Sequence, residues 1–310
     1  ENGYSNYDRF SVLEAEWPRI AAALPHFVAG PNDRLQTLCE ALTTFLEFSG
    51  RWDEWLALNE QAEARAVAAQ DWPNAGWRAH NVGWVHMLRG QAAEVLRWAD
   101  RASAHWQAAR AGAREQAIAI RLRGLGHRLA KDYGAATAAF KESLDLRRAL
   151  DPENDDAAQG LNSLAETERL VGDYAAAERD YNEALRIARK INNRYDVAIF
   201  TGNLALLALD REQWPEAERL AGEVLTLAEK LGLAELVAWD CHCLAQALLR
   251  QGRPAEALPF ARRAVEIWTK LRHPDLWQAR GVLAECEAVV SVGGEHGRLE
   301  HGRLDREGAK

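Results

Sequence analysis

One segment, Gly172-Asp-Tyr-Ala-Ala-Ala-Glu, recurs along this chain in altered form. Its echoes start at Gly50 (Gly-Arg-Trp-Asp-Glu-Trp), Gly90 (Gly-Gln-Ala-Ala-Glu-Val), Lys131 (Lys-Asp-Tyr-Gly-Ala-Ala), Glu212 (Glu-Gln-Trp-Pro-Glu-Ala) and Gly252 (Gly-Arg-Pro-Ala-Glu-Ala), at intervals of 40 or 41 residues. A chain of 310 residues can form two compact domains or one elongated array. Six units at a constant period select the array, in which each unit buries its apolar face against the next.

Each unit reads as two helices around that short turn. Before the turn runs an apolar stretch such as Ile199 to Leu209; after it Ala217, Leu220, Val224, Leu227 and Leu231 fall three and four apart, one stripe on a helix. Alanine, leucine, glutamate and arginine dominate, and no sustained alternation of β-branched residues suggests a strand, so the chain is all-α. Pro215 and Pro254 begin second helices, where a missing amide proton costs little. Small residues recur seven before the turn (Gly83, Gly124, Ala165, Ala205, Ala245) and five after it (Ala136, Ala177, Ala217, Ala257), as close helix crossings require. An aromatic two residues after the turn (Trp52, Tyr133, Tyr174, Trp214) wedges between hairpins.

With these columns the chain resembles the tetratricopeptide repeat family over about residues 32–271. The resemblance implies a right-handed α-solenoid of six helix-turn-helix units, at 31–71, 72–112, 113–153, 154–193, 194–233 and 234–273. The family's usual unit is about 34 residues. The longer form here is similar to the repeats of kinesin light chains and of the sensor arrays of bacterial STAND-type (NB-ARC) signal-transduction ATPases. A linker is expected over 1–10 and an extra helix over 11–30, with Ser11 as its N-cap and Glu14 completing a capping box. Its wording, Leu13-Glu-Ala-Glu-Trp-Pro-Arg-Ile-Ala-Ala-Ala-Leu, looks like the helix that opens such ATPase-linked arrays, with Arg19 where asparagine is usual. Residues 274–290 read as a capping helix, and 291–310, where Glu-His-Gly-Arg-Leu occurs twice, as a disordered tail.

Motifs for chemistry are missing. None of the six lysines follows a glycine, which excludes a Gly-Lys-Ser/Thr phosphate loop. Gly124-Leu-Gly126 lacks the third glycine of a dinucleotide fingerprint. Cys241-His242-Cys243 places neighbouring side chains about 100° apart on a helix, too divergent for one metal ion. No His-Glu-x-x-His or Gly-x-Ser-x-Gly occurs. The expectation is a protein without catalytic residues, cofactor or metal.

A net charge of −8 argues against nucleic acid, whose phosphates need a basic surface. No apolar run approaches the ~20 residues of a membrane span, and four scattered cysteines suit a reducing, cytoplasmic setting rather than a disulfide framework. The single methionine is Met87, so residue 1 is expected to lie inside a longer reading frame.

In the family the first helix of each repeat lines a concave groove. Carried over by position, this implies Trp77, His80, Asn81, Trp84 and Met87 in repeat 2, and Arg121, Leu125 and Arg128 in repeat 3. Repeat 4 adds Asn162, Glu166 and Arg169, repeat 5 Asn203 and Leu206, and repeat 6 Trp239, His242, Gln246 and Leu249. The three asparagines suit a peptide backbone or the bonding of one repeat to the next. The three arginines make the groove centre basic or form an ordinary solvated face. The implied function is a protein- or peptide-binding array, its ligand acidic at the centre, serving as the sensor of a larger STAND-type ATPase. The alternative is a free-standing adaptor or scaffold that self-associates as a homodimer.

Overall fold

The computed structural model describes residues 10–307, with side chains as far as residue 291. The linker expected over 1–10 lies outside this range except for Phe10, as do residues 308–310 of the expected tail. The described residues form helices and no strand. After α1 (Phe10–Ala29) come six antiparallel pairs: α2 (Asn32–Phe48) with α3 (Trp52–Ala68), α4 (Trp72–Leu88) with α5 (Ala92–Ala108), and α6 (Ala113–Leu129) with α7 (Tyr133–Leu150). The others are α8 (Asp155–Leu170) with α9 (Tyr174–Lys190), α10 (Arg194–Asp210) with α11 (Trp214–Leu231), and α12 (Ala234–Arg250) with α13 (Pro254–Leu271). The last helix, α14 (Leu276–Glu307), packs on α12 and α13 where a further repeat would begin. The whole is a right-handed α-solenoid.

The recurrent turn residue works through backbone conformation. Gly50, Gly90, Gly172 and Gly252 all have positive φ, and so do Lys131 and Glu212 at the two units that lack the glycine. At Gly50 the following amide, Arg51 N, reaches back to Leu46 O at 3.1 Å while Gly50 N bonds Glu47 O at 3.3 Å, closing the helix in a Schellman motif. The next helix starts at once, its first amides capped by Asp132 in α7 and Asp173 in α9, while Asp71, Asn154 and Asn193 cap α4, α8 and α10, which open repeats. At the N-terminus α1 already contains Ser11, so the expected cap is not the helix boundary, and Glu14 instead pairs with Arg51 of the first repeat turn.

The small columns sit where helices touch. A Cβ on Gly124 would come within 2.6 Å of the Phe140 ring in α7, and Ala136, Ala177, Ala217 and Ala257 are fully buried. In α4 a Cβ on Gly76 would stand 2.2 Å from Trp106 Nε1, so the indole lies directly on the helix backbone. Added volume at such contacts costs ~1–3 kcal/mol.

Six repeats complete a turn of the superhelix, and its two ends meet. Leu271, closing α13, covers Gly50, whose Cβ would fall 2.4 Å from the leucine Cδ2. Pro274 lies 3.4 Å from the same point at Gly90. Arg272 Nη1 donates to Asp53 Oδ2 at 3.4 Å across 219 residues of sequence. Phe48 and Tyr195 pack with ring centroids 4.9 Å apart. The groove is therefore walled by both the first and the last repeats.

Candidate functional site

The first helices of all six repeats, together with α1, surround a cavity of about 1350 Å³. Trp77, His80, Asn81, Trp84, Met87, Arg121, Leu125, Arg128, Asn162, Glu166, Arg169, Asn203, Leu206 and Trp239 all line it; His242, Gln246 and Leu249 do not. The exception at His242 has a physical cause. Trp268 of α13 fills the space beside α12, its ring 5.4 Å from His242 and 4.8 Å from Trp239, leaving the histidine 2% exposed. Trp77, His80 and Trp106 repeat this arrangement in the second unit, with the two indoles 5.3 Å apart and edge to face. Burial pushes both imidazoles down to about 4, so both are neutral packing elements at pH 7.

The arginines divide. Arg128 pairs with Glu166 and Arg169 with Asp210, each reaching into the next repeat. Only Arg121 has no carboxylate partner among the described residues: its Nε donates to Ser163 Oγ at 3.0 Å, and its guanidinium lies 5.3 Å over the Trp84 ring. The groove centre is thus a row of compensated pairs around one uncompensated cation, not a bare basic patch. Arg121 also borders a second cavity of about 980 Å³, lined by Arg114, Arg147, Asp155 and Asp156.

Asparagines join repeat to repeat. Asn203 Nδ2 donates to Asn162 Oδ1 at 2.7 Å, and Asn81 Nδ2 to Asn59 Oδ1 at 3.2 Å. Both members of the first pair, Asn162 and Asn203, line the cavity.

Further groups line the cavity: Glu47 and Cys243 share columns with Arg128 and with Asn203, whereas Asp196, Arg78 and Asp240 lie outside the family columns. Trp84 Nε1 donates to Glu47 Oε1 at 2.8 Å, and burial, with Glu235 adding like charge, pushes Glu47 up to about 7. Asp196 is almost fully buried, and desolvation together with Asp155 holds its carboxyl well above the usual range. Arg78, Asp240 and Cys243 also line the cavity. A signal for two of them was present in the sequence: five residues before the small position the other repeats carry Leu38, Ala119, Gly160 and Phe200, whereas Arg78 and Asp240 are charged.

Among the described residues no group of three His, Cys, Asp or Glu side chains could hold a metal, and no helix is long and apolar enough to cross a membrane.

Comparison with known proteins agrees with this architecture. The tetratricopeptide repeat sequence family matches at 115–190, 156–230 and 196–270, together half of the chain. No curated protein matches by sequence. Among solved structures, a Rap protein complexed with Competence and Sporulation Factor superposes with a TM-score of 0.62 at 12% identity, covering 87% of this chain and 80% of that one. A STAND protein with a tetratricopeptide repeat sensor from Pyrococcus horikoshii gives 0.56 at 13% identity, covering 96% of this chain and 48% of the other. BtubC from P. vanneervenii gives 0.54 at 18% identity over 72% and 94%. At these identities the likeness is one of fold.

Proposed function

Because this chain belongs to the tetratricopeptide repeat family, we propose that it is a non-catalytic recognition module whose walled groove holds a peptide or an extended protein segment. The observation that carries this reading is the cavity of about 1350 Å³, larger than the ~300–1,000 Å³ of small-molecule sites. It is lined by aromatic rings, by asparagine side chains and by Arg121, the one groove-column arginine without a carboxylate partner among the described residues. Amide edges match a peptide backbone, and the arginine matches a carboxylate of the ligand. A fold neighbour in complex with a factor supports the same use of such an array.

We further read the module as the sensor of a larger STAND-type ATPase in the cytoplasm, a reading supported by the neighbour that carries a repeat sensor and by four free, buried thiols suited to a reducing compartment. A free-standing scaffold is the second reading. Selecting peptides from a random display library on the wild type and on Arg121→Glu tests the first proposal. Peptides with an acidic residue should enrich on the wild type and be lost on the folded variant; identical pools on both proteins would refute the role of Arg121. A Gly-Lys-Ser/Thr loop upstream in the same reading frame supports the sensor, and a start codon directly before residue 1 refutes it.

A further inference from the structure

Two ionisable side chains, one a base and one an acid, line the large cavity and are buried without an ionic partner. Arg78 of α4 is 4% exposed, with Nε and Nη1 unsatisfied, and Asp240 of α12 is 1% exposed, with both carboxyl oxygens unsatisfied. Beside Arg78 lies the Cys39 thiol. Glu40 and Asp71 are near but form no ion pair with it, and Asp71 is engaged by Asn32 and Asn74. Asp240 faces Gly202 of α10, its Oδ1 3.5 Å from where a Cβ would stand, and no cation accompanies it.

The fold itself does not require these charges. Both occupy the buried column five residues before the small position, where Ala119, Gly160 and Phe200 serve the same contact in other repeats. An ion taken out of water without a partner is costly, and apolar replacements of buried charges are often neutral or stabilising. A site that keeps a buried base in the second repeat and a buried acid in the sixth gains from them when a ligand supplies the counter-charges.

We propose that the groove takes a peptide that is dipolar along its length, an acidic group meeting Arg78 in repeat 2 and a basic group meeting Asp240 in repeat 6. This rests on the groove-binding reading above and deepens it by giving the ligand a charge pattern and a direction. Burial pushes Asp240 up to about 8, so in the empty cavity it holds its proton; a lysine or arginine of the ligand displaces that proton and forms the ion pair.

The test uses the full chain as bait for a displayed library of random peptides, followed by titration of one enriched synthetic peptide and of its charge-reversed counterpart. Enriched sequences should carry an acidic and a basic residue at a fixed separation, and charge reversal should weaken binding at least ten-fold. On Arg78→Met the acidic preference at the position paired with the basic residue should disappear, leaving any acidic contact to Arg121, and on Asp240→Asn the basic preference alone should disappear, with melting temperature confirming both folds. Peptides that enrich without the paired charges, or a reversed peptide that binds equally well, overturn this inference and leave groove binding standing. No enrichment of any peptide on the wild type overturns both. The wild-type selection and the reversed peptide decide the matter even where a variant fails to fold.

Discussion

Gly76→Ala offers a direct test of the packing described here, because helix propensity and tertiary contact predict opposite signs. In an exposed helix, glycine to alanine stabilises by about 1 kcal/mol. At Gly76 the new methyl would stand 2.2 Å from Nε1, 2.4 Å from Cδ1 and 2.6 Å from Cε2 of Trp106. Ordinary contact begins near 3.4 Å, so ring or helix must move by roughly 1 Å in an interior packed to crystal density. The indole has little room to yield, being 1% exposed and pinned edge to face by Trp77 at 5.3 Å. Overpacking of this kind costs about 1–3 kcal/mol, and here the upper part of that range applies. Net of propensity, Gly76→Ala should destabilise by about 1–2 kcal/mol. Gly222→Ala in α11, with nothing within 4 Å of its Cβ, should stabilise by about 0.5–1 kcal/mol. Urea unfolding followed by far-UV circular dichroism measures both midpoints. Equal shifts in the two variants would refute the contact. If it is real, Trp106→Leu should also cost less in the Gly76→Ala background than in the wild type.

Two other outcomes follow from the geometry. Glu47 has its carboxyl raised from the ordinary 4.5 to about 7 by burial and by Glu235, so between these values the folded state binds more protons than the unfolded one and stability falls as pH rises. Glu47→Gln should therefore raise the melting temperature over the wild type at pH 8 and not at pH 4.5; an equal gain at both would show that Glu47 does not titrate abnormally. Leu271→Asp places a charge against Gly50 and should part the two ends of the superhelix. Small-angle scattering would then show a larger radius of gyration at unchanged helix content, and an unchanged radius would mean that the contact does not hold the ends together.

The sequence made legible whatever is local and repeats. The turn column at residues 50, 90, 131, 172, 212 and 252 has positive φ throughout, and the small columns mark the close crossings, because each position answers to its own unit and the next. Sites that depend on several repeats were harder to read. Arg128 and Arg169 look like free cations until the neighbouring unit supplies Glu166 and Asp210. His242 occupies the same column as His80, yet in the last repeat it is covered by Trp268 and leaves the cavity wall. Arg78 and Asp240 lie in a packing column rather than a groove column, so a reading by family position passes over them. The meeting of Leu271 with Gly50 sums small rotations over five repeats, and no single unit encodes it.

That meeting gives the molecule the mechanics of a split ring rather than of a spring. For a guest that enters by parting the Leu271–Gly50 seam, the seam acts as a kinetic gate. Where bound and empty rings are equally shut, tightening the seam slows arrival and departure by the same factor and leaves affinity unchanged. For such a guest, residence time and affinity are set by different residues, the first by those at the seam and the second by those facing the cavity.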